Sequence, residues 1–220
     1  MEEIKDLDKK EIEKDNKNKK KFSIRKLLFI WGFVVIMSPI VGCILQLLFS
    51  VVCYTGASIW SLWDAEVKQD MENVEWNIFN KDEGKVVASK KVSMYKGVMV
   101  FRIPGNRAGS FLGIFLTEHQ RTVTAKSIST VQHEYGHNIQ QLLVGPINYL
   151  LYIGLPSWRQ WSERTYYDRP WEITAESFGG VRIRKHAPDA LKRGNNYLLT
   201  TLFGRTVIFL VSTRWIQYIK

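Results

Sequence analysis

Two histidines four residues apart, with a glutamate beside the first, stand in the run His133, Glu134, Tyr135, Gly136, His137. On a helix, residues i and i+4 lie one above the other, so both imidazoles can reach a single ion. The spacing is that of a zinc-binding pair, and Glu134 can then address a water held on the ion. The chemistry within reach is hydrolysis by a metal-activated water with a carboxylate as general base. Such a site needs a third protein ligand. Residues 168–180 read DRPWEITAESFGG and carry Glu172 and Glu176, again at i and i+4. One of these carboxylates can bind the metal. The other can receive a ring N–H from a ligand histidine and fix its tautomer.

Two helices must hold these groups. Ser127 is the expected cap of the first, which runs to about Leu143 with Ile128, Val131, Tyr135, Ile139, Leu142 and Leu143 at helical spacing. Asp168 is the expected cap of the second, with Pro170 in its first turn and Gly179-Gly180 at its end. Residues 84–103 are rich in valine and close on Pro104-Gly105-Asn106, which predicts strands and a turn. Residues 111–116 (FLGIFL) predict a further strand, a candidate edge for pairing with an extended peptide. Tyr166 and Tyr167 precede the Glu172 helix, and a phenol there could donate to the oxyanion of a tetrahedral intermediate. His119 and His186 read as polar-surface histidines. Residues 64–220 are therefore expected to form one small α+β domain.

The 220 residues are 45% hydrophobic and 24% charged, which excludes a disordered chain. Two cysteines are too few for a disulfide scaffold. The distribution of charge is more informative than its net value of +10. Residues 27–63 contain no charged side chain, and directly before them Lys17, Lys19, Lys20, Lys21, Arg25 and Lys26 form a basic run. A helix needs ~20 apolar residues to cross the hydrocarbon, so one transmembrane helix is expected over residues 27–53. Residues 1–26 then form a basic, solvated tail on the cytoplasmic side, and 54–63 an apolar juxtamembrane segment. The domain after it is expected outside the cytoplasm. A nucleic-acid role for the basic run is the weaker reading, because the run abuts an apolar span. The apolar stretches 142–158 and 198–215 are interrupted, and read as core helices or as surfaces lying against the bilayer.

An HExxH helix followed by a glutamate-bearing helix resembles the gluzincin metallopeptidases, whose pattern is HExxH and then a helical E-x-x-x-D. That resemblance implies a zincin-like domain: a short mixed sheet, an active-site helix and a Glu-bearing helix. It implies Zn2+ held by His133, His137 and Glu172, with Glu134 as catalytic base and Glu176 as the acid beside the ligands. The chain is also similar to small bacterial membrane-anchored metallopeptidases, through HEYGHNIQQLLVGP, GLPSW and YYDRPWEITAESFGGV. The likeness covers about residues 98–185. The gap from His137 to Glu172 is longer than in the gluzincins, which implies an extra helix or membrane-facing insertion. The resemblance thus implies a membrane-anchored zinc metallopeptidase acting on a peptide or protein, with the lipid bilayer as partner and no nucleic acid. Two alternatives stand beside it: an intramembrane or interfacial protease of the site-two type, and a non-enzymatic membrane protein with a structural zinc. Against the first, the motif helix carries Ser127, Ser129, Thr130, Gln132, Asn138, Gln140 and Gln141, too polar for lipid. Against the second, Glu134 is no ligand, and a structural site needs no base.

Overall fold

The computed structural model describes residues 40–75 and 82–187, with the single positions 26, 37 and 189. Residues 1–25 of the basic tail, 27–36 and 38–39 of the expected span, and the stretch 198–215 lie outside the described residues. Helix α1, Ile40–Trp60, is long and apolar enough to cross a membrane. It continues through residues 54–60, which the sequence reading set apart as a juxtamembrane segment. No proline interrupts 40–60, and Gly56 alone, costing about 1 kcal/mol against alanine, does not end the helix. Helix α2 (Ala65–Glu72) starts at Asp64, whose Oδ1 accepts the N–H groups of Glu66 and Val67.

Residues 83–88 are helical rather than extended. Asp82 caps α3 (Glu83–Ala88) by accepting the Lys85 N–H, and Val86 and Val87 enter the core from this single turn. A local cap outweighs the β preference of two valines. Strands β1 (Val92–Tyr95) and β2 (Val98–Ile103) form a hairpin across Lys96-Gly97, where φ is 49° and 77°. Both residues of such a two-residue turn take positive φ, and glycine supplies one without strain. The predicted strand at 111–116 is displaced. Leu112 has a φ of 55°, so the chain turns at 111–113 and β4 spans Ile114–Thr117. It lies inside the sheet, parallel to β2 and antiparallel to β3 (Gly109–Ser110), in the order β1-β2-β4-β3. The edge on that side is β3. The protein is α+β, with a mixed four-stranded sheet.

Alternation along β2 sorts the core into two layers. Val98 and Val100, with Ile114 and Leu116, pack on Val86, Val87 and Val131. Met99 and Phe101, on the opposite face, pack with Met94, Val67 and with Cys53, Tyr54 and Ala57 of α1. The described part of the expected span, residues 40–53, is therefore a layer of the fold, within the compact unit that begins at Pro39.

Helix α4 (Ala125–Val144) is capped by Thr124, not Ser127. Ser127 is the third helical residue and returns a bond to the Thr124 N–H, a reciprocal capping box. Leu143, one of the apolar residues at helical spacing, is exposed, while Ser129, Gln132, Asn138, Gln140 and Gln141 are buried. The polarity of α4 thus faces protein. It says nothing about what surrounds the domain, and the argument from it against a membrane setting fails. Between α4 and Glu172 lie α5 (Pro146–Tyr149), a π-helical turn (Leu150–Gly154) and α6 (Leu155–Gln160). Helix α7 (Pro170–Gly179) has Pro170 at its start and Gly180 in the left-handed region at φ 69°. Its N-cap is Arg169; Asp168 accepts the Ala187 N–H instead.

Helices α4 and α7 cross with their backbones in contact. A Cβ built at Gly136 would stand 1.8 Å from the Ala175 carbonyl oxygen, and one at Gly179 would stand 1.8 Å from that of Gln132. Only hydrogen fits at either place. This crossing decides where Glu172 sits relative to the two histidines.

Candidate metal centre

His133 and His137 lie one turn apart on α4, and the α4–α7 crossing brings Glu172 against them. The three can hold a metal ion. His133 Nε2 and His137 Nε2 are 3.2 Å apart. Glu172 Oε2 is 3.0 Å from the first and 3.4 Å from the second. Tetrahedral ligands 2.0–2.1 Å from zinc stand about 3.3 Å from one another, so this triangle has the size of one face of such a site. Glu172 is fully buried, and its Oε2 has no aligned hydrogen-bond donor. A buried carboxylate oxygen without a donor is costly, and a cation relieves that cost.

Burial disfavours the charged forms here, yet mutual attraction outweighs it. His137 loses solvation, but the adjacent Glu172 carboxylate raises its pKa to about 9. Burial likewise opposes ionisation of Glu172, while His137 and His133 hold it well below the usual carboxylate range. Without metal these shifts favour a charged His137 beside a charged Glu172, and a cation then competes with a proton for the imidazole. Glu134 is buried beside the triangle and is not part of it. Burial lifts its pKa above the usual carboxylate range; Glu172 adds to the shift and the two histidines oppose it.

The groups that orient the ligands are not the expected ones. His137 Nδ1 bonds Gln140 Oε1 at 2.8 Å. Gln140 Nε2 faces the Trp171 carbonyl, which only accepts, so Oε1 must face the histidine and Nδ1 must carry the hydrogen. That leaves Nε2 for the metal. Ser157 Oγ donates to Glu172 Oε1 at 2.9 Å and receives the Tyr166 hydroxyl at 2.6 Å. Glu172 is thus held on one oxygen and open on the other. Tyr166 is a positioning residue in this chain, not a free phenol. Glu176, the expected partner of a ligand histidine, accepts the Lys185 N–H at 2.9 Å and pairs with His186 Nδ1. His186 is therefore no surface histidine: its side chain is 3% exposed. Its role is to tie residues 185–186 to α7. His119 is exposed, as expected.

A cleft of about 380 Å³ opens over the triangle. Its floor includes His133, Glu134 and His137; one wall is β3, and the other carries Trp158, Trp161 and Tyr167. Tyr167 lies 6.1 Å from His133, ring centre to ring centre, and its hydroxyl receives Lys185 Nζ at 3.1 Å. Of the two tyrosines it is the one with its polar end unclaimed by the ligand network. Asn138 binds Ser110 and the Gly113 carbonyl, and the Tyr149 hydroxyl donates to the Ser110 carbonyl, so the β3 wall is fixed to the metal helix.

Gln140 and Ser157 escaped the sequence reading. Gln140 is three residues after His137, on the same helix face, and that spacing is a usable signal. Ser157 carries none. We expect Gln140→Ala to weaken metal affinity by about 10–100-fold, as loss of a ligand's orienting partner does. Glu176→Ala should instead lower thermal stability with little change in affinity. Competition titration against a chromophoric chelator, with unfolding scans of the same samples, checks both. No protein-family model matches the chain, and no curated protein or solved structure matches it.

Proposed function

We propose that the protein is a membrane-anchored zinc metallopeptidase of the gluzincin type, on a zincin-like α+β domain. One observation carries the reading: two imidazole nitrogens and a buried carboxylate oxygen lie within 3.4 Å of one another, the two histidines at the floor of a cleft, with the non-ligand carboxylate of Glu134 beside them. Two histidines, one carboxylate and an open position are the donor set of a catalytic zinc. His133, His137 and Glu172 would hold the ion, which when bound supplies a water of lowered pKa and a Lewis acid.

The remaining tasks fall to the chain. Glu134, with its pKa raised by burial, takes a proton from water and returns it to the leaving amine. Tyr167, supported by Lys185, is the donor for charge developing on the peptide carbonyl. Strand β3 forms one wall of the cleft, against which a peptide can lie. Tyr166 and Ser157 keep Glu172 aimed. A structural zinc has no use for a buried base, and this supports an enzyme. The basic run places the N-terminal end of the chain on the cytoplasmic side.

Metal analysis of the purified full chain is the direct test. About one zinc per chain is expected in the wild type, and Glu172→Ala should lose it. A mixed peptide library followed by mass spectrometry should show cleavage that a chelator stops and zinc restores. Full zinc in Glu172→Ala, or cleavage indifferent to chelation, would sink the reading.

A further inference from the structure

Helix α1 is arranged inside out for a water-soluble layer. The fully buried positions that face the domain are small or polar, Gly42, Gln46, Ser50 and Ala57, about one turn or two apart, with Phe49, Cys53 and Tyr54 half-buried beside them. Gln46 Nε2 binds the Leu112 carbonyl, and Gln141 Nε2 donates to Gln46 Oε1 at 3.4 Å. The outward strip is Ile40, Ile44, Leu47, Leu48, Val51 and Val52, with Leu47 60% and Val52 67% exposed. Water-facing helices show the reverse order. Small and polar residues inward with aliphatics outward is the order of a helix packed on protein and bathed in lipid.

The outward surface continues onto the domain. A Cβ at Gly42 would stand 3.1 Å from Pro146 Cδ, so the start of α5 lies against the first turn of α1. From there Ile147, Leu150 and Leu151 are 64%, 42% and 50% exposed, with Trp158 on α6 at 69%. These are the residues of the insertion between the metal ligands on α4 and the ligand on α7. Contacts along α1 from Gly42 to Ala57 span about 22 Å, so the domain flanks most of the helix rather than hanging from its end.

We propose that lipid acyl chains cover the outward face of α1 together with the α5–π-turn surface, seating the cleft in the membrane interface. The partner is the bilayer, and continuity with α1 selects it over a second copy of the chain. The consequence is a site that meets polypeptide delivered at the membrane surface. This rests on the outward face of α1 meeting lipid and not on what the metal does, so loss of the peptidase reading would leave it standing.

Site-resolved quenching tests it. The full chain, with Cys43 and Cys53 replaced by Ala, receives one cysteine at Leu48, Ile147, Leu151 or Glu118, labelled with an environment-sensitive fluorophore. The chain is reconstituted in phosphatidylcholine–phosphatidylglycerol vesicles with a nitroxide either near the headgroup or near the acyl terminus. Emission from Leu48→Cys, Ile147→Cys and Leu151→Cys should fall by about half or more, with Ile147 and Leu151 most sensitive to the shallow nitroxide. Glu118→Cys should not respond. A response at Leu48 with none at Ile147 and Leu151 overturns the proposal: a blue-shifted but unquenched signal there means protein covers the patch, and a red one means water. No response at Leu48 overturns it too, by removing α1 from the bilayer. A circular dichroism spectrum and melting temperature like the wild type's in each variant confirm a folded chain.

Discussion

Glu134→Gln should retain its zinc, melt within a degree or two of the wild type, and lose at least about 100-fold to 10,000-fold of peptidase activity. The substitution keeps the volume and the helix preference but removes the ability to accept a proton. Glu134 is not among the three groups that converge on the metal position, so the ion should stay. It is buried, so a neutral amide is no worse placed there than a carboxylate whose ionisation burial already opposes. Activity on a mixed peptide library, read by mass spectrometry beside the zinc content of the same sample, separates the roles. Equal cleavage by wild type and variant would end the general-base mechanism. Selective loss at full zinc is what an enzyme predicts and a structural zinc does not.

Gly136→Ala should do the opposite: it leaves every catalytic group in place and destroys the site. The added methyl would meet the Ala175 carbonyl at 1.8 Å, and backbone cannot swing aside as a side chain can. Overpacking costs roughly 1–3 kcal/mol where neighbours yield, and more is expected against a second helix backbone. Ala175 is one turn from Glu172, so the separation of α7 from α4 withdraws the third ligand. The expected result is a drop in melting temperature together with loss of zinc. Gly154→Ala is the comparison, since its Cβ would meet nothing closer than 3.6 Å. It should be close to wild type in both measurements. A Gly136→Ala chain with normal zinc would mean that the crossing does not set the site.

What the sequence discloses follows from how local each relation is. The His133–His137 pair is legible because four residues of helix fix its geometry whatever the rest does. Glu172 is legible because its helix has a proline start and a glycine end, and because a third ligand is needed. The choice between partners for the ligands is not local. Glu176 shares a helix face with Glu172, yet residues 185–186 claim it, and nothing in residues 168–180 announces that. Gly136 and Gly179 read as a motif filler and a terminator; their true office appears only when two helices touch. Valines at 86 and 87 suit a strand or a single helical turn, and Asp82 decided between them. The strand at 111–116 moved because Leu112 adopts a positive φ that no residue of its type advertises.

The apolar helix was read as an anchor, something a chain wears so that its working part stays near a membrane. Its packing gives it another status. Cut away at residue 63, as one would do to obtain a water-soluble enzyme, the chain would expose Met94, Met99, Val67 and Phe101, the underside of its own sheet. Gln141, which steadies the Leu112 N–H one helical turn beyond His137, would lose Gln46. A shortened fragment of this protein is therefore half a sandwich rather than a freed domain. Any activity it failed to show would report the missing layer before it reported the chemistry.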